Sequence, residues 1–214
     1  GFRKDRFYLY QSYWRPEHPM AHLLPHWTWP DRIGQVTPVH VYTSGDEAEL
    51  FLNGKSLGRK KKAQYDYRLR WDDVVYEPGE LRVVAYKGGK QWASDSMKTA
   101  GPAAKLMLAP DRSAIAGDGK DLVFITVTVA DKDGRAVPRS MHPIRFEVSW
   151  AGEIVATDNG DPTDMSALHS KERRAFNGLT LVIVRAKPGH SGRIMVTAKS
   201  DGLGEARSVI TAVR

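Results

Sequence analysis

The chain has 214 residues, with 32 Lys and Arg against 25 Asp and Glu, for a formal net charge of +7. A hydrophobic content of 41% with six Trp excludes a disordered tail, and the absence of Cys excludes a disulfide framework, a thiolate metal site and a cysteine nucleophile. No apolar run approaches the roughly 20 residues that a membrane-spanning helix requires.

The opening Gly1-Phe2-Arg3 carries neither Met nor a signal-peptide pattern, and the chain is expected to start inside something longer. KDRFYLYQSYW then predicts one short helix, opened by Asp5 as N-cap and stopped by Pro16. Phe7, Tyr10 and Trp14 recur at i, i+3 and i+7 and line one face, widened by Leu9 and Tyr13. A helix this short does not persist alone in water, so its aromatic face is expected to dock on something. Residues 17–35 are broken by Pro19, Pro25 and Pro30 and read as an extended connector, pinned by Leu23, Leu24, Trp27 and Trp29.

From Val36 the pattern alternates at period two. TPVHVYTS is one strand. EAELFLNGKSLGRK is two strands joined by Asn53-Gly54, which accept the positive φ of a type I′ turn. YDYRLRWD, ELRVVAYKGG and QWASDSMKTA follow, and Gly101-Pro102 marks a boundary. A second series comprises AAKLMLAP, DLVFITVTVAD, IRFEVSW, EIVATDNGD, LTLVIVRA, RIMVTAKS and ARSVITAV. In DLVFITVTVAD, Val123, Ile125, Val127 and Val129 share one face. The expected fold is all-β: two immunoglobulin-like antiparallel β-sandwiches in tandem, preceded by the helix and connector. The segments are 1–25, 26–102 and 103–214.

Motifs with a chemical reading are few. His18, His22 and His26 would line up on a helix as zinc ligands, but Pro19 and Pro25 remove that helix, so no metal is expected. Asp131-Lys132-Asp133-Gly134 opens like a calcium loop but lacks the remaining ligands, and a hairpin turn accounts for it. Asp158-Asn159-Gly160-Asp161-Pro162 predicts a long structured loop. Arg59-Lys60-Lys61-Lys62 is basic without interleaved aromatics, so it reads as a guarded sheet edge and no nucleic-acid partner is expected. Trp27, Trp29, Trp71 and Trp92 are the carbohydrate-stacking candidates; burial is the competing and commoner fate of such residues. No nucleophile elbow, phosphate loop or cofactor motif is present, and no catalytic residue is assigned.

Several stretches together resemble the region that follows the catalytic barrel in β-galactosidases of glycoside hydrolase family 2. They are KDRFYLYQSYW, HLLPHWTW and VHVYTSGDEAELFLNGKSLGRK, with TDNGDPTD and RRAFNGLTLVIVRA further on. Thr28 departs from the family pattern, which commonly has Asn between the two Trp. The resemblance implies that the N-terminal helix is the last of the (β/α)₈ barrel, with Phe7, Tyr10 and Trp14 as barrel-docking residues. It also implies that the acid/base and nucleophile glutamates lie upstream of Gly1. The expected function is a non-catalytic C-terminal accessory region that braces the barrel and shapes its cleft rim. The implied parent hydrolyses terminal β-D-galactosides and is periplasmic or secreted in bacteria. The alternative is a carbohydrate-binding module, with oligosaccharide as ligand on exposed Trp. A homo-oligomer is left open, and no membrane partner is expected.

Overall fold

Period-two alternation is carried through into sheets along most of the chain. The computed structural model describes residues 2–213. They divide into two units, Phe2–Thr99 and Ala100 onward.

The first unit runs α1 (Asp5–Trp14), β1 (Ala21–Leu24), a single 3-10 turn (Pro30–Arg32), β2 (Val39–Thr43), β3 (Glu47–Leu52), β4 (Lys55–Lys61), β5 (Leu69–Trp71), β6 (Glu80–Lys87) and β7 (Lys90–Lys98). Its sheets have the orders β1-β2-β5 and β4-β3-β6-β7, with every pairing antiparallel. Inward-facing Val39, Val41, Leu50, Leu52, Leu81 and Val83 form the core together with Trp27, Trp71 and Tyr76. Asn53 and Gly54 turn β3 into β4 with φ of 50° and 82°, the left-handed values a type I′ hairpin requires.

Two details differ from the sequence reading. The connector is not wholly irregular: β1 lies within it and pairs with β2, from Ala21 opposite Thr43 to Leu24 opposite His40. The helix N-cap is Lys4, in extended backbone geometry and without a capping side chain, and Asp5 is the first helical residue. The Asp5 carboxylate is committed elsewhere, to His22 Nε2 at 2.8 Å.

The second unit comprises β8 (Lys105–Pro110), β9 (Ala114–Ala116), β10 (Leu122–Ala130), β11 (Pro143–Val148), β12 (Gly152–Asp158), β13 (Glu172–Arg174), β14 (Leu179–Ala186), β15 (Gly192–Ser200) and β16 (Gly204–Val213). One sheet has the order β12-β14-β10-β8, the other β13-β11-β15-β16-β9. Val123, Ile125, Val127 and Val129 all point into the core, against Ile144, Phe146, Val182, Val184, Ile194 and Val196. A parallel pairing departs from the antiparallel rule: β9 lies along the end of β16, with Ala114, Ile115 and Ala116 opposite Thr211, Ala212 and Val213. At the turn into β14, Asn177 and Gly178 take φ of 52° and 77°, and a Cβ on Gly178 would run into the Val137 carbonyl.

Candidate functional site

Helix α1 has two dissimilar faces. Asp5, Tyr8 and Ser12, at i, i+3 and i+7, face the first unit. Tyr8 stacks on His22 with centroids 3.8 Å apart and planes 14° off parallel, while Asp5 holds the same imidazole. Ser12 is buried. Tyr13 donates its hydroxyl to the Asp66 carbonyl at 2.6 Å, and partial burial followed by the Asp66 charge raises the phenol's pKa. The far side carries Phe7, Tyr10 and Trp14, all exposed, with Tyr10 and Trp14 stacked at 4.8 Å. These three residues share the exposed aromatic side of the helix, with the Arg3 guanidinium over the Phe7 ring at 4.9 Å.

His22 is therefore the clamp between α1 and β1. His22→Ala is expected to remove about 1 kcal/mol of local stability, seen as faster amide exchange over Leu9–Tyr13. Unchanged protection there would mean that Tyr13 and Ser12 hold the helix without it.

The stacking candidates do not converge. Trp27 is 1% exposed and Trp71 is 3% exposed, so neither indole offers a face to a sugar, and both are corrected to core residues. Trp27 donates Nε1–H to the Glu77 carbonyl at 3.1 Å and meets Tyr76 edge to face. Trp71 donates to the Gly58 carbonyl, and Lys60 lies over its ring at 5.5 Å. Trp29 is half-buried, stacked on His26 at 4.1 Å, with Nε1–H bonded to the His26 carbonyl. Trp92 is half-buried, bonded to Ser44 Oγ, with Lys87 over its ring. The chain turns after Trp29 into the 3-10 segment, and both Trp27 and Trp29 pack on the same core, Trp29 N–H donating to the Tyr76 hydroxyl at 3.1 Å.

The charged motifs are engaged by neighbouring groups of the fold. Arg59 pairs with Glu47 and covers the Tyr86 ring at 3.7 Å; Lys60 donates to the Arg70 carbonyl. Lys62 donates to the Thr43 carbonyl, and burial lowers its pKa, partly offset by Asp46. The Asp131 side chain is buried and accepts from the amides of Gly101, Asp133 and Arg135, which hold its carboxyl below the usual range. Its oxygens organise the turn. Among the described residues no group of three or more His, Asp or Glu is placed to hold a metal ion.

The most organised polar cluster was not legible as such. Residues 159–171 form a loop closed by Asn159, Asp161 and Asp164 side chains on nearby amides. At its base sits Arg173, only 3% exposed. Its guanidinium donates to the carbonyls of Thr157 (2.9 Å), Ala167 (2.8 Å) and Ser166 (3.2 Å) and pairs with Asp164 at 3.1 Å. Asp164 also accepts from Asn159 Nδ2 at 2.7 Å. The dense Asp and Gly run signalled a structured loop, but an Arg in a three-residue strand gives no sign of being buried.

Residues 106–209 match the model of the glycoside hydrolase family 2 C-terminal domain 5, and residues 34–93 match a domain of unknown function, DUF4982. The chain is 41% identical to a β-galactosidase, BoGH2A, of Bacteroides ovatus, over 99% of its own length and 24% of that protein's. It is 26% identical to a β-glucuronidase of Formosa agariphila, over 92% of this chain and 21% of the relative. A β-glycosidase structure from Bacteroides vulgatus superposes with a TM-score of 0.93 at 33% identity, covering 99% of this chain and 27% of that one. The chain thus spans about a quarter of the length of these relatives.

Proposed function

Because this chain belongs to the C-terminal region of glycoside hydrolase family 2, we propose that it is a non-catalytic accessory region that braces a glycosidase's catalytic barrel and shapes the rim of its cleft. The parent's reaction would be retaining hydrolysis of terminal β-D-galactosides by a pair of carboxylates supplied from the barrel. A periplasmic or secreted bacterial enzyme is the setting this reading implies. The observation that carries it is helix α1. One side is fixed to the first unit through Asp5, Tyr8 and Ser12, and the other presents Phe7, Tyr10 and Trp14 exposed. Large aromatic side chains left in water forgo roughly 25 cal/mol for every Å² they could bury. The barrel is the surface that would cover them.

Two measurements test this. The chain alone should show no turnover of a chromogenic β-galactoside; genuine turnover overturns the non-catalytic assignment. In the longer parent, the double variant Tyr10→Ala, Trp14→Ala should lower the melting temperature while leaving the melting of this isolated chain unchanged. An unaffected parent removes the docking role from that face.

A further inference from the structure

We propose that the turn between β11 and β12 carries a small carbohydrate-binding site, with the Trp150 indole as stacking platform and His190 as the hydrogen-bonding group beside it. Trp150 is 73% exposed, and it was not among the residues singled out by sequence. Its exposure is built in. Gly152 N–H closes the turn on the Ser149 carbonyl at 2.9 Å. Ser149 is tied twice to β15, by its amide to the Met195 carbonyl and by its hydroxyl, which accepts from Met195 N–H at 3.0 Å. Ala151 is buried, and a Cβ at Gly152 would lie 2.6 Å from the Ile194 side chain, so the turn is pressed against the core behind the indole.

His190 meets Trp150 edge to face, with centroids 5.0 Å apart and planes at 78°. The imidazole is oriented in its turn. Its Nδ1 lies 3.1 Å from the Pro188 carbonyl, which can only accept, so Nδ1 carries the hydrogen, and in the neutral imidazole Nε2 keeps a lone pair. Its amide donates to the Lys187 carbonyl at 3.0 Å. An open indole next to a fixed acceptor matches the two-sided chemistry of a neutral pyranose ring. Such a ring has a patch of C–H groups on one face and hydroxyls around its rim. The patch packs on the indole, and a rim hydroxyl donates to Nε2.

This site is independent of the bracing role and lies in the second unit. Its test is an NMR titration of this chain with methyl β-D-galactopyranoside, whose axial O4 gathers three C–H groups on one face. The Trp150 indole N–H should shift saturably, and Trp150→Ala should abolish binding at an unchanged melting temperature. His190→Ala should weaken binding about tenfold, and Trp14→Ala should leave it as it is. Absence of a Trp150 shift at saturating sugar, or binding that survives Trp150→Ala, overturns the site. Undiminished affinity in His190→Ala overturns the role given to the imidazole.

Discussion

Replacing Arg173 by Met should lower the stability of the second unit by about 3–5 kcal/mol, a fall in melting temperature of roughly 10–20 °C. The side chain is nearly inaccessible and serves Asp164 and three backbone carbonyls at once. Methionine fills much of the space but donates nothing, so Asp164 and those carbonyls would lose a charged partner inside the loop. Amide exchange over residues 160–170 should rise with the loss. Arg173→Lys keeps the charge without the planar fork and should fall between the two. A variant that melts with the parent would mean that the loop does not depend on this guanidinium. The same cluster gives an acid signature. Ser166, through its hydroxyl and amide, and then Arg173 hold the Asp164 carboxyl well below the usual range. Its folded pKa lies under the unfolded value of about 3.9, so its stabilisation is present above that pH and is lost as the pH falls. Asp164→Asn should therefore flatten the decline in stability below about pH 5; an unchanged slope would show that other carboxylates set it.

Trp27→Ala should cost the first unit about 3–5 kcal/mol, a large part of what a domain of this size has. The indole is among the largest fully buried side chains and lies against Tyr76 in the core that also contains Leu23, Val39 and Trp71. Truncation would leave a void between the two sheets and an unpaired Glu77 carbonyl. Trp27→Phe keeps much of the area and loses the hydrogen bond, so it should cost less. Thermal melting and the dispersion of Val39 and Leu50 methyl signals report both. If Trp27→Ala retains native dispersion and stability, the indole is not the core residue its burial makes it.

The strands with strict alternation were legible because each buries one face against its own sandwich, and β10 is the clearest case. The aromatic stripe on α1 was legible from spacing alone. What escaped has non-local causes. β1 lies between Pro19 and Pro25 and exists because β2, some twenty residues later, offers a partner. Asp5 looked like an N-cap because a cap is a local bond, but His22 competes for the carboxylate from outside the helix. Trp71 sits on a strand where either face was open, and only the packing of two sheets decides its burial. Trp150 and Arg173 carried no local signal, since a Trp usually goes inside and an Arg outside and each does the opposite.

The parallel pairing of β9 with β16 ties the second unit to the direction of protein synthesis. Residues 114–116 are edge strand and find their partner only in residues 211–213. At about 5–20 residues per second, the ribosome leaves that edge open for roughly five to twenty seconds after it is made. Through that interval Ile115, buried in the finished sheet, has no strand beside it. The five-stranded sheet cannot close before residues 211–213 are made, and chains halted before residue 211 would emerge with an unsealed seam open to chaperones and proteases.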